Sequence, residues 1–317
     1  MSADPSLAWL SEARRLARPF LFTTANPVAH NLRNLAVLGA ITATMVGTIA
    51  LGTQLRGLAY IPVAGVVFGA CFFTLISLVV HEASHGMFLL ASTRGRTRRL
   101  NRIFGWACAA PFGIHYVRHW EVGHNLHHAR PLVDEDPQRF NTRTGADLLR
   151  TVLALVFIPA WGFVHRFVNK RPGRNTHSSP ALLISFLVFW GTVLPTLGLT
   201  IGWWVPVGVF WGLQNLLAIN EIKGALEHGQ LASETEVLLR SRSSLVPFIA
   251  LFSPWNVSLY HFEHHLHAAV PWYRLPAYHR AVRHLVPAHL SDDIYNRRLL
   301  RQLSGGLALH GTNGKAT

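Results

Sequence analysis

Cysteine and charge are both scarce in this chain. Two cysteines among 317 residues, Cys71 inside an apolar run and Cys108 in another, leave no disulfide framework. They also leave no thiolate set for an iron–sulfur cluster and no Cys-containing structural zinc site. Asp, Glu, Lys and Arg together make up only 14% of the chain, against roughly a quarter in an average soluble domain, while 50% is hydrophobic. That composition excludes an ordinary soluble globular protein. No signal peptide is expected at the N-terminus, because Met1–Phe20 is charged and has no compact apolar core before a cleavage site. No linker, internal repeat or low-complexity stretch divides the sequence, so residues 1–303 are expected to form a single domain. The Gly-rich segment 304–317 is expected to be a disordered tail.

Long apolar runs take the place of charge. Asn34–Leu55, Tyr60–Val80, Ala181–Ile201 and Gly202–Ile222 are each long enough to cross a hydrocarbon core about 30 Å thick. Backbone polar groups cannot stay bare in lipid, so these runs are expected to be helical. Ile103–Ile114, Leu148–Phe163 and Leu245–Trp255 are shorter and broken by Pro or Gly, which suits helices that lie in the interface. The fold expected is an all-α integral membrane protein, with four transmembrane helices, interfacial helices and a cytoplasmic helical cap. Trp203 and Trp204 fit an interfacial aromatic belt.

Charge orients the spans. Of 29 Lys and Arg, only Arg56 falls in a turn on the far side; the rest flank the other ends. The positive-inside rule therefore puts both termini and both long polar regions in the cytoplasm. The net charge of +14 suits anionic headgroups and an acidic protein partner. Nucleic acid is not an expected partner, because the basic residues flank spans rather than forming a basic soluble domain.

On that same side lie three histidine clusters: His81–His85 spaced i, i+4; His124, His127 and His128; and His261, His264 and His265. His228, preceded by Glu227, lies between the last two. Helical spacing aims each cluster from one face. Nine imidazoles are too many for one ion and suit two metal ions, the all-nitrogen shell favouring a redox iron pair over a hydrolytic zinc. Glu82, Glu227, Glu263 and Asn125 are the neighbouring groups that could orient imidazoles from behind. His115, His119 and His267 lie near the clusters and are read mainly as structural. The lone residues His30, His165, His177, His279, His284, His289 and His310 are read as structural too.

These clusters resemble the three histidine boxes of the membrane fatty acid desaturase superfamily, over about Val79–Pro276. Gly86 after the first box, Asp134-Glu-Asp-Pro137 after the second, and Asn256–Leu266 followed by Val270–Pro276 extend the likeness, the last closest to bacterial acyl-lipid desaturases. The resemblance implies a non-haem di-iron enzyme that uses O2 and two electrons to oxidise an unactivated C–H bond of a fatty acyl lipid or thioester. It implies His81, His85, His124, His127, His128, His228, His261, His264 and His265 as ligands. His228 matches the extra ligand of stearoyl-CoA desaturases, but where they carry an Asn four residues earlier this chain has Gly224. Electrons would come from a separate ferredoxin-type or cytochrome b5-type donor, since no His-Pro-Gly-Gly haem motif is present. The expected location is a bacterial inner membrane.

Glu227-His228-Gly229 also resembles alkane hydroxylases, so hydroxylation or ketolation of a carotenoid, alkane or acyl chain stays open. A metal transporter would hold its ligands at mid-membrane, and a bis-His haem carrier needs histidines inside its spans. Here the histidines lie beyond the span ends.

Overall fold

The computed structural model describes residues 8–138, 144–162, 179–231, 234, 236–245 and 253–304. Most of the shelf segment Leu245–Trp255, almost all of the tail, and the lone residues His165, His177 and His310 lie outside them. The chain gathers into two compact units. One comprises residues 26–126 and 150–221; the other comprises 1–25, 127–149 and 222–317.

The first of these holds the long apolar helices. Pro27–Leu51 (α2, following α1 at Ala8–Arg15) starts where the Asn26 side chain accepts the Ala29 N–H and Pro27 presets the first turn. Gly57–Thr74 (α3) continues through a π-helical stretch, Leu75–Val80, into the short α4, His81–Ser84. Arg94–Ala109 (α5) is capped by Thr93. Pro180–Thr200 (α8) repeats the opening of α2, with Ser179 as cap and Pro180 in the first turn. Between them, Gly123–Ala129 (α6) and Gly145–Phe157 (α7) carry the chain across the unit boundary. Trp204–His228 (α9) crosses it again.

Among the described residues, three helical stretches are long and apolar enough to span a membrane: Pro27–Leu51, Gly57–Ser84 and Pro180–Thr200. The fourth expected span, Gly202–Ile222, overlaps α9, which is 25 residues long but interrupts its apolar run with Gln214, Asn215, Asn220 and Glu221. Only 17% of the α2 window and 11% of the α8 window are buried, against 67% for α3. The outer helices thus turn apolar side chains such as Val28, Leu187 and Leu199 outward, as lipid contact requires, and α3 is central.

Small residues let α3 and α9 approach closely. A Cβ on Gly212 would lie 2.4 Å from the Phe68 Cβ, and one on Gly69 2.6 Å from that of Asn215. Gly208 meets Ala64 and Gly65 meets the Trp211 ring in the same way. Gln214 is used inside the unit: its side chain accepts the Ala160 N–H and donates to the Val156 carbonyl. After α4 the chain leaves helical geometry, and side chains satisfy the exposed backbone. Asn31 and Asn34 reach the carbonyls of Leu90 and Phe88, Asn101 takes the N–H groups of Phe88 and Leu89, and His30 Nε2 lies 2.5 Å from the Met87 oxygen. His30 is a structural histidine, as its isolation suggests.

The other unit is built from short helices around the end of α9: Asn256–Leu259 (α10), His261–Leu266 (α11), Leu275–Val282 (α12), Ala288–Ile294 (α13) and Leu299–Leu303 (α14). A two-residue parallel ladder pairs Ser243–Ser244 (β1) with Tyr295–Asn296 (β2). Gln302, 1% exposed, donates to the carbonyls of Ala225 and Leu226, which pins the C-terminal helix to the turn that carries Glu227 and His228. Helix α1 lies on the third histidine box through Arg14 Nε to the Leu266 oxygen, and Ala13 accepts the Tyr278 hydroxyl.

Candidate metal centre

Six of the nine predicted ligands lie in the second unit. His127, His228, His261 and His265 are all buried and bring one ring nitrogen each within 4.8 Å of the others. His128 stacks on His265 at 4.3 Å and meets His264 edge-on at 4.5 Å. The spacing of α11 accounts for three of these: His261, His264 and His265 share one face of a single short helix.

The cage is fixed from behind. Asp136 Oδ2 accepts from His127 Nδ1 at 2.8 Å, and the same carboxylate takes the N–H groups of Leu132 and Gln138. Burial raises the Asp136 pKa, but His127 and these amides outweigh it and hold the carboxyl below its ordinary value. His228 Nδ1 is 2.7 Å from the Arg240 carbonyl, which turns its Nε2 inward. There Nε2 meets His261 Nε2 at 2.9 Å. Glu227, fully buried and ion-paired to Lys223, has a carboxylate oxygen 3.4 Å from that same His261 nitrogen. It therefore lies beside the inward face of His261 rather than behind it.

Glu263 takes a different place. Its two oxygens meet His279 Nδ1 at 2.6 Å and the Ser243 hydroxyl at 2.5 Å, while Ser243 also accepts the Phe262 N–H. It locks α11 to β1 and α12 and steadies the box helix as a whole.

Burial, followed by mutual repulsion among the rings, pushes the pKa values of His228, His261 and His265 well below that of free imidazole. These rings are neutral near pH 7. His265 Nε2 is buried without a hydrogen-bond partner, and two other Nε2 atoms face each other. Buried lone pairs in this arrangement are satisfied by a cation, and neutral nitrogen donors in this number suit a transition metal such as iron. The residues fit the group.

The first unit holds the other three predicted ligands. His81, His85 and His124 form a triangle with ring centroids 4.6, 4.9 and 5.0 Å apart. Each box follows a π-helical stretch, Leu75–Val80 before His81 and Tyr116–Val122 before His124, a helix form that clusters at functional sites. Trp120 packs on His124 at 4.9 Å and on His81 at 6.0 Å. Glu82 is fully buried with its carboxylate 3.6 Å from His81 Nδ1, too far for a hydrogen bond. Burial lowers the His85 pKa to about 4, opposed by a hydrogen bond with Asn125, whose amide also donates to the Glu121 carbonyl.

Of the extra histidines, His115 caps the second π-helical stretch by accepting the Arg118 N–H. His119 and His267 join neither set of ligand nitrogens among the described residues. Sequence reasoning missed Asp136, His279, Ser243 and the Arg240 carbonyl. The acidic-Pro segment Asp134–Pro137 pointed toward the first without singling it out. His279 looked like any lone histidine, and a backbone carbonyl leaves no sequence signal.

A search of curated proteins returned no match. A family model described as fatty acid desaturase matches residues 57–297, from the start of α3 to just past β2, and so takes in every box histidine and His228. With that match spanning about three-quarters of its length, the chain belongs to the fatty acid desaturase family.

Proposed function

We propose that this protein is an O2-dependent, non-haem di-iron membrane oxidoreductase that introduces a double bond into the hydrocarbon chain of a fatty acyl lipid or thioester. Family membership supports the oxidoreductase class and a lipid substrate, and the histidine clusters support a metal site. The observation that carries the iron reading is the cage of His127, His228, His261 and His265: four buried nitrogens, two of their rings held from behind by Asp136 and the Arg240 carbonyl. Nine histidines are donors enough for two ions, six of them in one unit and His81, His85 and His124 in the other.

Bound iron supplies the redox chemistry that lets O2 attack an unactivated C–H bond. The protein's part is to keep the donors neutral, fix their tautomers through groups such as Asp136, and exclude water with apolar walls. In this proposal residues 1–303 act as one catalytic domain, α9 serves as the fourth span, and the histidines and both termini face the cytoplasm of a bacterial inner membrane. Electrons arrive from a separate ferredoxin-type or cytochrome b5-type protein.

Expression in a host with a compatible donor, followed by lipid mass spectrometry, tests the reading. Loss of two hydrogens from an acyl chain is the expected result. Gain of one oxygen would move the assignment to a hydroxylase or ketolase. Iron analysis should give two ions per chain, and a Soret band would overturn the non-haem centre.

A further inference from the structure

Helix α5 carries five arginines, at positions 94, 96, 98, 99 and 102, and no acidic residue. Its outer side opens into a hollow of 570 Å³ lined by Gly95, Arg98, Arg99, Arg102, Ile103 and Trp106. Arg98 and Arg102 are tied down: both hold the Glu121 carboxylate, Arg102 through two bonds of 2.8 Å and Arg98 at 3.2 Å. Two of the three guanidiniums are therefore fixed in place, and Arg99 stands exposed beside them.

The surface leads inward. Trp106 packs on His115 at 4.8 Å and on Tyr116 at 6.3 Å, where the second π-helical stretch begins. Gly105 permits that approach, since a Cβ there would come within 2.2 Å of the Tyr116 ring. Four residues further along the same stretch, Trp120 packs on His124 and His81. Glu121, the residue clamped by the arginines, is its immediate neighbour. Basic surface, aromatic contacts and metal-binding histidines are thus joined within one unit.

We propose that the arginine face of α5, centred on Arg99 and Trp106, is the docking surface for an acidic one-electron carrier protein, and that Trp106, Tyr116 and Trp120 couple it to the His81–His124 cluster. Charge complementarity selects the partner. An anionic lipid surface would satisfy the arginines but would leave the aromatic contacts without a use. The inference rests on the oxidoreductase reading above. Two docking events each deliver one electron and oxidise one carrier molecule. Those two electrons, two protons from solvent and the two hydrogens removed from the substrate reduce O2 to two waters. The aromatic residues act as a tunnelling bridge and are not themselves oxidised.

The test uses the full iron-loaded chain in phosphatidylcholine nanodiscs, with a reduced plant-type ferredoxin as probe. Arg99→Glu should weaken ferredoxin binding by roughly tenfold and flatten its salt dependence, whereas Arg297→Glu, a charge reversal elsewhere, should not. With a small-molecule reductant in place of ferredoxin, Arg99→Glu should turn over at the wild-type rate. Trp120→Leu should leave ferredoxin affinity intact and slow single-turnover oxidation of bound ferredoxin, with Trp120→Phe recovering part of the loss at equal iron content. Unchanged ferredoxin affinity in Arg99→Glu overturns the proposal. So does a loss confined to binding of phosphatidylglycerol vesicles, which would assign the patch to lipid. Absence of product from wild type under the small-molecule reductant would instead overturn the oxidoreductase reading, while the binding measurement still decides the docking surface.

Discussion

The two histidine clusters are braced by different neighbours. In the cage of His127, His228, His261 and His265, partners stand behind the rings: Asp136 at 2.8 Å, the Arg240 carbonyl at 2.7 Å. In the triangle of His81, His85 and His124 the rings pack against Trp120 and each other, His85 shares a hydrogen bond with Asn125, and the Glu82 carboxylate lies 3.6 Å from His81. A carboxylate or carbonyl within hydrogen-bond distance behind a ring fixes its tautomer and its angle together. The short Asp136–His127 contact and the longer Glu82–His81 approach can therefore be compared directly.

The harshest break is removal of a ligand. His265→Ala in the cage or His81→Ala in the triangle should abolish product formation and halve the iron bound per chain, measured by elemental analysis of purified protein. Full activity in either variant would sink the di-iron assignment. A finer comparison uses the groups behind the rings. Asp136→Asn should weaken metal retention by ~10–100-fold in a chelator competition, and Glu82→Gln should cost less. Equal losses would mean that the 2.8 Å Asp136–His127 contact matters no more than the 3.6 Å approach of Glu82 to His81.

Stability changes come next. Glu263→Gln leaves His279 and Ser243 facing an amide in a buried site and should cost about 1–3 kcal/mol, read as a lower midpoint of thermal unfolding in detergent. Between α3 and α9, Gly212→Ala forces a Cβ against Phe68 and should cost about 1–3 kcal/mol. Gly39→Ala in α2, with open space around it, should gain a few tenths to about 1 kcal/mol from helix propensity. The smallest effect belongs to Glu121. Burial raises its pKa, but the guanidiniums of Arg102 and Arg98 outweigh that and lower it. The ion pair then adds stability above the unfolded carboxylate value, which is lost as the pH falls through the lower folded value. Arg98 and Arg102 remain 66% and 40% exposed, so solvent screening limits the effect to ~1 kcal/mol or less. Thermal midpoints of wild type and Glu121→Gln should converge once the pH falls below the lowered carboxyl value.

Much of this was legible in the sequence because its signals are local. Helical spacing within each box puts its histidines on one face, and unbroken apolar runs mark α2, α3 and α8. The fourth run was less legible. Hydrophobicity alone joins Gly202 to Ile222, but the structure turns Gln214 toward the backbone at Val156 and Ala160 and sets Asn215 against Gly69, uses that depend on neighbours far away in sequence. The same holds for the partners of the cage. Asp136 is nine residues from His127, His279 sixteen from Glu263, and Arg240 contributes only its backbone. Two shelf segments overlap helices α5 and α7, which begin earlier, at Arg94 and Gly145, and end earlier, at Ala109 and Phe157.

The π-helical stretches before His81 and His124 carry a further consequence. Each sets the angular phase of everything downstream. In an α-helix one residue corresponds to about 100° of rotation, so deleting a single residue between Leu75 and Val80 would swing His81 and His85 around the axis with their sequence intact. Every ligand would still be present, and none would point the right way. For these two boxes, the number of residues that precede them matters as much as the histidines they contain.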